Sequence, residues 1–417
     1  MTTVRRVPRW ADVAPFLVTR PWSPDPVVRR LARCVCVDDL AREARRRVPR
    51  AVLDYVETGA ETERSMHRNR AAYDALELRP STFEAVGEPD TSTTILGRRA
   101  SAPIVLAPTG YTRLSHHSGE CAVAASAEAA GLPYTLSTYA TSSIPDVAQA
   151  APGGRNWFQL YLMKDRDVSL EHVRQAREHG YDALVLTVDT ALSGAKWQDR
   201  RNGFSIPPAL TMRTFADMAR RPRWVGDILT TEPLRFATFP EDSHYARWGM
   251  SNTLREQALR PADITWLKER WSGPVVVKGV LSVADALAAV DAGADAVVLS
   301  NHGGRQLDRA PVPLELLPHV VAAVGDRAEV MVDSGIRTGS DVAAAVALGA
   351  SAVMVGRAYL YGLMVGGRRG VDAALGFLTA ELAHTMSLLG AATVADLHPG
   401  HVALGQTRPG PRAGTHT

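Results

Sequence analysis

The segment PVVVKGVLSVADALAAVDAGADAVVLS, residues 274–300, decides the fold because it holds two strands and the helix that joins them. Its apolar runs, 274–278 and 296–300, do not alternate with polar residues, which is typical of parallel strands buried on both faces. The alanine-rich stretch between them, 282–292, ends at Gly293, the position that glycine favours just after a helix. The segment therefore predicts a strand–helix–strand unit with parallel strands.

The same pattern recurs through most of the chain. Similar apolar runs of strand length occur at 103–107, 134–137, 157–161, 183–188, 329–333 and 352–355. Alanine-rich stretches that end near a glycine lie between several of them, at 119–130, 168–179 and 338–348. Eight strands of this kind favour an α/β fold with a closed parallel (β/α)8 barrel, the TIM-barrel class. An open doubly wound sheet is the alternative, but no Gly-x-Gly-x-x-Gly turn follows the first strand.

Three segments lie outside this repeat or interrupt it. Residues 1–36 are rich in proline and arginine, and we expect an extended basic leader there, followed by an N-terminal helical extension from residue 37. The connection 200–262, after the fourth strand, is unusually long and predicts a lid-like loop or interface segment over the barrel mouth, with an inert surface excursion as the alternative. We expect one barrel domain over 37–400 and a flexible tail over 401–417.

The composition is that of an ordinary globular protein, with 46% hydrophobic and 22% charged residues and a net charge of +3. The arginines of the leader are not interleaved with aromatic residues, so we expect a solvated surface and no nucleic-acid partner. No apolar run reaches the length of a membrane span, and no secretory signal is recognisable. The three cysteines predict neither a disulfide framework nor a metal site, and a cytoplasmic location is the expectation.

The active site of such a barrel lies at the carboxyl ends of its strands. Most of these ends carry polar residues or glycine, which are Thr109, Gly110, Ser137, Gln159, Tyr161, Thr187, Asp189, Lys278, Ser300 and Asp333, with Pro108 before the first of them. A lysine that faces a barrel interior needs an anion or must be neutral. Lys278 could therefore form a Schiff base with a substrate or lie against the developing negative charge of a cofactor.

The end of the sixth strand, Ser300 to Asp308, carries the sharpest chemical signal. His302 can accept a proton near neutral pH, and Arg305 presents a fork that matches a carboxylate. Asp189, at another strand end, could hold the histidine ring and stabilise its protonated form. A base beside an anion clamp suits a small substrate with a carbonyl next to the reacting carbon.

The last two strand ends predict a phosphate site. Barrels of this class often bind phosphate with the loops that follow strands seven and eight. Gly335 and Gly356 let backbone N–H groups approach an anion, and Arg337 and Arg357 can add charged donors.

Together these motifs resemble the family of FMN-dependent 2-hydroxy acid oxidases and dehydrogenases, over about residues 37 to 400. The motifs that carry the resemblance are Ala107-Pro108-Thr109, Gln159-Leu160-Tyr161, Thr187-Val188-Asp189, Val277-Lys278-Gly279, Ser300 to Asp308, Asp333 to Arg337, and Gly356-Arg357. The resemblance implies FMN as the cofactor, a small-molecule substrate, and a homotetramer or larger assembly. It leaves the electron acceptor open between O2, a quinone and another carrier.

The resemblance also implies roles for individual residues. The flavin ring would be held by the backbone of Pro108, Thr109 and Gly110 with Ser137, Gln159, Thr187 and Lys278, and the phosphate by Gly335, Arg337, Gly356 and Arg357. Ser300 and Asp333 would also bind the cofactor. His302 would accept the substrate proton with Asp189 behind it, and Tyr161 would hydrogen-bond the group that is oxidised. Tyr55 and Arg305 would hold the substrate carboxylate.

The sequence departs from the family pattern at three positions. Lys196 stands where the family usually has a second arginine, and lysine cannot make the bidentate fork. Gly110 replaces the alanine of many oxidases, and Ser334 replaces a glycine in Asp333-Ser334-Gly335. A plain carboxylate substrate and oxygen as the acceptor are therefore not required.

Two substrate classes remain open at this point. The first is a 2-hydroxy acid, and the second is an amine or hydroxyl beside an amide carbonyl in natural-product or peptide-cofactor maturation. The strings Ile206 to Thr211 and Thr230 to Leu234 are similar to an actinobacterial branch that includes pre-mycofactocin synthase. Lys196 favours the second class, whereas Tyr55 and Arg305 favour the first, which we take as the main hypothesis. Outside these classes stand a phosphate-binding isomerase or aldolase that uses Lys278, and a non-catalytic flavin-binding barrel.

Overall fold

The computed structural model describes residues 6–17, 23–84, 86–203, 212–248 and 254–404. Its central strands are β4 Ile104–Leu106, β5 Tyr134–Ser137, β6 Asn156–Leu160, β7 Ala183–Thr187, β8 Val275–Val280, β9 Ala296–Leu299, β10 Glu329–Val332 and β11 Ala352–Val355. They pair in parallel in the order β10-β11-β4-β5-β6-β7-β8-β9 and close into a barrel. The predicted (β/α)8 TIM barrel is confirmed.

The barrel strands are almost wholly buried because they are covered on both faces. The interior is filled by side chains such as Val105, Trp157, Val185 and Met331. A hairpin of β2 Thr93–Ile95 and β3 Arg98–Ala100 adds Ile95, which is fully buried, to this interior cluster. The barrel is therefore a packed core, and its free space lies at the mouth.

Helices cover the outside of the barrel. They are α6 Gly119–Ala129, α7 Ile144–Ala150, α8 Arg166–Glu178, α13 Pro261–Lys268, α14 Val283–Asp291, α15 Pro313–Val324, α16 Gly339–Ala347, α17 Arg357–Gly366 and α18 Arg368–Leu389. Several start with a side-chain cap, as at Ser282 and Thr338, whose hydroxyls accept hydrogen bonds from backbone N–H groups. These caps fix where each helix begins and so keep the preceding loops short.

The N-terminal segment is helical, with α1 Trp10–Val13, α2 Pro26–Leu31, α3 Val37–Ala44, α4 Arg50–Glu57 and α5 Arg64–Asp74. The prediction of an extended leader was wrong for residues 10–13 and 26–31. Asp25 caps α2 by accepting from the N–H of Val27, and Pro26 occupies the first helical position, which proline favours. Within the described residues, no helix is both long and apolar enough to cross a membrane.

The start and end of the barrel domain are joined by a small sheet. Strand β1 Leu76–Leu78 pairs antiparallel with β12 Val402–Leu404. The prediction of a flexible tail from residue 401 was therefore wrong for this strand, because backbone pairing holds it. Residues 405–417 lie outside the described part of the chain.

The connection between β7 and β8 contains the helices α9 Trp197–Asn202, α10 Met212–Ala219, α11 Pro222–Leu229 and α12 His244–Trp248 ahead of α13. The expectation of a loop is corrected accordingly. The indole N–H of Trp224 donates to the carbonyl of Leu114 at 3.0 Å, and Phe236 is buried against Tyr111 and Tyr139. The excursion is thus packed on the barrel mouth by its aromatic residues, while Pro207 and Pro208 lie outside the described residues.

Candidate active site

One cavity of about 460 Å³ opens at the carboxyl ends of the strands. All but four of the residues predicted for the site line it. The other four lie behind the lining and touch it. Gln159, Asp189 and Ser300 form hydrogen bonds with lining residues, and Thr187 pairs with Lys278 in the sheet. The structure therefore brings all the predicted site residues together.

His302 lies in the loop after β9 and has an unusual backbone. Its φ is +60°, and the backbone N–H donates to Ser300 Oγ at 3.0 Å. Gly304 follows with φ +77°, and an added Cβ there would lie 2.5 Å from the backbone nitrogen of Met66. Only glycine fits that close approach, which presses the loop against α5 and aims the histidine into the cavity.

The imidazole of His302 is held by a carboxylate. Nδ1 lies 3.2 Å from both oxygens of Asp189. Burial alone would raise the pKa of Asp189, but the charge of His302 and its hydrogen bond hold that pKa below its ordinary value. A carboxylate partner places the proton on Nδ1, so Nε2 carries the lone pair that can accept a proton in the cavity.

Arg305 reaches the cavity from the same loop. Its guanidinium lies 5.2 Å from the centre of the Tyr55 ring and donates to the carbonyl of Thr58 at 2.8 Å. The end of α4 therefore brings Tyr55 to the arginine, as the sequence predicted for the N-terminal tyrosine. Burial raises the pKa of Tyr55, so the phenol stays protonated at neutral pH and can donate to an anion.

Lys196 completes a cationic wall beside Tyr55. Its ammonium lies 5.3 Å from the Tyr55 ring centre. The turn before Lys196 lies directly against the loop that carries Arg305. Glycine is needed at position 194 for this contact, because an added Cβ would lie 2.2 Å from the carbonyl oxygen of Arg305. Burial lowers the pKa of Lys196 to about 7, and the charge of Arg305 adds to this effect. The lysine can therefore change its charge near neutral pH.

Tyr161 lines the side of the cavity that follows β6. Its ring stacks on Tyr139 at 5.0 Å between centres. Burial raises the pKa of Tyr161, so its hydroxyl remains a hydrogen-bond donor. Gly110 lies nearby, and an added Cβ would be only 3.3 Å from the carbonyl oxygen of Tyr139. Any larger residue at position 110 would narrow the cavity.

The floor of the cavity holds a buried ion pair. Lys278 Nζ lies 3.0 Å from Asp333 and donates to Ser300 Oγ at 2.9 Å. Both charged side chains are nearly inaccessible to solvent, and a buried pair of this kind is destabilised strongly when one partner is lost. The cation is thus fixed at the base of the cavity, where it can face a developing negative charge.

The buried polar groups at the strand ends fit a flavin ring. Among the described residues, Gln159 Nε2 and Thr187 Oγ1 are buried without a hydrogen-bond partner. An unpaired buried polar atom costs about 1–3 kcal/mol, so a native site normally supplies a partner. The carbonyls and ring nitrogens of a flavin would supply them beside Ser137 and Lys278.

The loops after β10 and β11 form the expected phosphate side of the cavity. Gly335 has φ +111°, a conformation that L-residues rarely adopt, and its carbonyl accepts from Arg70 at 2.8 Å. Arg337 lies over the Tyr361 ring and forms a 3.5 Å ion pair with Asp38. The loops at Gly335 and Gly356, together with the guanidinium of Arg337, can therefore surround an anion at this side of the cavity.

Arg357 has a second task besides the predicted one. Its guanidinium donates to the carbonyls of Val56 at 3.0 Å and Gly303 at 2.9 Å. It therefore links α4 to the loop of His302 in addition to lining the cavity beside Gly356. Burial lowers the pKa of Arg357 to about 10, so the group remains cationic at neutral pH.

Sequence reasoning missed several residues of the site. Asn69 and Asn301 exchange two amide hydrogen bonds of 2.8 and 2.7 Å and are fully buried behind the His302 loop. Arg255 and Tyr139 line the cavity. The asparagine inside the Ser300–Asp308 string was a usable signal, whereas nothing in the local sequence of Arg255 indicated the barrel mouth.

Comparison with known proteins assigns the family. The FMN-dependent dehydrogenase family matches residues 44–404. A putative L-lactate dehydrogenase of Mycobacterium tuberculosis is 47% identical over 96% of this chain and 97% of its own length. Human 2-hydroxyacid oxidase 1 is 38% identical over 87% of this chain and 95% of its own length.

Solved structures agree with this assignment. The crystal structure of the monotopic membrane protein (S)-mandelate dehydrogenase superposes with a TM-score of 0.85 and 36% identity, covering 89% of this chain and 99% of that one. The family match runs from before the first barrel strand to beyond the last one. The chain therefore belongs to the FMN-dependent dehydrogenase family and is an FMN-dependent oxidoreductase.

Proposed function

We propose that this protein oxidises a 2-hydroxy acid to the corresponding 2-keto acid. One observation carries the proposal. His302 and Arg305, three residues apart on one loop, present a proton acceptor and a carboxylate clamp to the same cavity. A 2-hydroxy acid has its hydroxyl and its carboxylate on adjacent carbons and matches that pair.

The residues divide the work of binding and proton transfer. Arg305 and Tyr55 hold the carboxylate, and Tyr161 donates to or accepts from the substrate hydroxyl. His302 Nε2 takes the hydroxyl proton, and the negative charge of Asp189 stabilises the imidazolium that forms. Bound FMN supplies the acceptor for the hydride that leaves the substrate carbon.

The rest of the cavity is assigned to FMN. Pro108, Thr109, Ser137, Gln159, Thr187, Lys278 and Ser300 would hold the ring, while Asp333, Gly335, Arg337, Gly356 and Arg357 would hold the chain and phosphate. Lys278 favours the negative charge of the reduced ring because it is fixed at the cavity floor. The names of the relatives, which include an oxidase of 2-hydroxy acids and a mandelate dehydrogenase, support the proposal.

A second candidate is oxidation of an amine or hydroxyl beside an amide carbonyl, as in pre-mycofactocin synthase. Lys196 favours it, because a lysine with a pKa of about 7 is a weaker carboxylate clamp than an arginine. A neutral amide would tolerate that change. The same base could serve, since both reactions remove a proton and a hydride.

Anaerobic absorbance of the FMN-loaded protein separates the two candidates. Racemic lactate, 2-hydroxybutyrate and mandelate are compared with their primary amides and with the matching α-amino amides. Bleaching of the flavin band by the acids supports the proposal. Bleaching by amides alone would assign the second candidate, and bleaching by neither series would overturn both.

A further inference from the structure

Ser334 occupies a backbone position that suits glycine better than serine. Its φ is +73°, in the left-handed region that L-residues rarely adopt. It also stands where the family pattern has glycine, in Asp333-Ser334-Gly335. A side chain costs conformational energy at such a position, whereas glycine adopts it freely. Strained residues of this kind persist where the surrounding contacts hold them, so the contacts of the Ser334 side chain point to a role.

The hydroxyl of Ser334 both donates and accepts. It donates to Oδ1 of Asp333 at 2.6 Å and accepts from the backbone N–H of Gly303 at 3.0 Å. A distance of 2.6 Å is typical of a hydroxyl that donates to a charged carboxylate, which is a strong kind of hydrogen bond. Ser334 is buried, so water weakens neither bond greatly. The serine therefore links the end of β10 with the loop that carries His302.

Asp333 divides its two carboxylate oxygens between Ser334 and Lys278. Oδ1 accepts from the serine, while Oδ2 lies 3.0 Å from Nζ of the lysine. A hydrogen bond from a neutral donor stabilises the carboxylate and draws part of its negative charge away from the lysine. More of the positive charge of Lys278 is then left to stabilise an anion in the cavity. The hydroxyl of Ser334 thus acts on the cation at the cavity floor through Asp333.

Ser300 makes the matching link on the other side of the ion pair. Its hydroxyl accepts from Nζ of Lys278 at 2.9 Å and from the backbone N–H of His302 at 3.0 Å. His302 and Gly303 both have a positive φ, of +60° and +67°. Their consecutive N–H groups therefore donate to two serine hydroxyls, and each hydroxyl contacts one member of the ion pair. The loop and the ion pair are connected twice.

We propose that Ser334 is a positioning residue that couples the loop of His302 to the ion pair of Lys278 and Asp333. It acts through two other groups. The carboxylate of Asp333 determines how strongly Lys278 favours reduced FMN, and the amide of Gly303 fixes the loop that aims His302. The effect on Lys278 needs only bound FMN, which the family assignment provides, whereas the effect on the base rests on the proposed function.

The midpoint potential of bound FMN tests the effect on Lys278 without any substrate. Ser334→Gly removes the hydroxyl and fits the positive φ, so the variant should fold. The ratio of the affinities for reduced and oxidised FMN should fall by about tenfold, which lowers the two-electron potential by about 30 mV. Equilibration with a reference dye during anaerobic reduction measures the potential. A potential equal to the wild-type value, or above it, would overturn the coupling.

A second variant separates the hydroxyl from the backbone. Ser334→Ala also lacks the hydroxyl but keeps a side chain at the positive φ. It should show the same fall in potential as Ser334→Gly and a lower melting temperature. Ser351→Ala is the matched control, because Ser351 donates to the carbonyl of Val330 at 3.0 Å at the amino end of β11, outside the cavity lining. A fall in potential of the same size in the control would contradict the proposal.

Hydrogen exchange tests the link to the loop. In FMN-loaded Ser334→Gly, the N–H of Gly303 has lost its acceptor, so exchange in the peptide that contains residues 302–304 should accelerate by about tenfold. Mass spectrometry measures the exchange, and unchanged protection would contradict the link. The rate of flavin reduction by lactate should fall as well, because the base is held less firmly. If no 2-hydroxy acid reduces the wild-type flavin while potential and exchange change as expected, the coupling stands and only the proposed function fails.

Discussion

The two halves of the barrel mouth are built differently. On the cofactor half, Gly356 directly follows β11 and Gly335 lies three residues after the end of β10, and both lead into α17 and α16 within a few residues. On the substrate half, Lys196 begins an excursion that, within the part of the chain that the structure describes, lines the cavity again at Arg255. Short connections keep a strand-end residue at the strand end, whereas a long one can place any of its residues at the mouth. The first half can therefore be located from sequence, whereas the second half also contains Arg255, which the sequence did not locate.

His302 lies between the halves, and its removal should have the largest effect. His302→Ala should slow anaerobic flavin reduction by a 2-hydroxy acid by about 10³-fold or more, because the cavity loses its proton acceptor. FMN should remain bound, since the base belongs to neither set of cofactor contacts. Stopped-flow absorbance measures the rate, and His319→Ala, an exposed histidine on α15, is the control. Reduction at the wild-type rate would remove the histidine from the mechanism.

Substitution of Arg305 tests the substrate half of the cavity. Arg305→Lys should raise KM for a 2-hydroxy acid by about 10- to 100-fold, because a point charge replaces a fork that binds both carboxylate oxygens. Steady-state kinetics measure the change, with Arg327→Lys on the exposed surface as the control. A KM equal to that of wild type would mean that the carboxylate binds elsewhere.

Substitution of Arg337 tests the cofactor half of the cavity. Arg337→Ala should raise the FMN dissociation constant by about tenfold, the loss expected for one charged contact with a phosphate. Arg357→Ala should also weaken FMN binding, but it removes the bonds to Val56 and Gly303 as well, so its effect mixes retention with loop position. Fluorescence recovery of released FMN measures both. An unchanged constant in Arg337→Ala would exclude it from the phosphate site.

Lys196 should give the smallest effect, and one that depends on pH. Its pKa of about 7 means that the ammonium is charged below pH 7 and neutral above it. A carboxylate prefers the charged form, so pyruvate affinity should fall by up to about tenfold as pH rises from 6 to 8. Lys196→Arg keeps its charge over this range and should remove that part of the decline. The same pH slope in both proteins would show that Lys196 does not contact the anion.

The sequence predicted the barrel and the strand-end residues because both depend on local pattern. Buried strands without polar alternation and caps such as Thr338 are visible in the chain itself. The contacts that complete the site are long-range. Arg255 reaches the cavity through backbone bonds to the loop after β6, and Asn69 reaches Asn301 because α5 packs on the His302 loop. Neither contact leaves a periodic signal.

The wrong expectations have the same origin. The arginines of residues 26–31 concealed a short helix, whose cap at Asp25 is a single side chain followed by proline. The strand near residue 402 forms only because β1 offers its edge. Both segments have a composition that is typical of flexible chain. The cap at Asp25 stabilises the helix, and pairing with β1 stabilises the strand.

The division between the two halves can be tested directly by one quantity, the FMN dissociation constant, measured in Arg305→Lys, Lys196→Arg and Arg337→Ala. We expect only Arg337→Ala to raise the FMN dissociation constant, by about tenfold. In Arg305→Lys and Lys196→Arg the constant should stay within about twofold of the wild-type value. Release of FMN by Arg305→Lys or Lys196→Arg, with retention by Arg337→Ala, would contradict the assignment of the cavity.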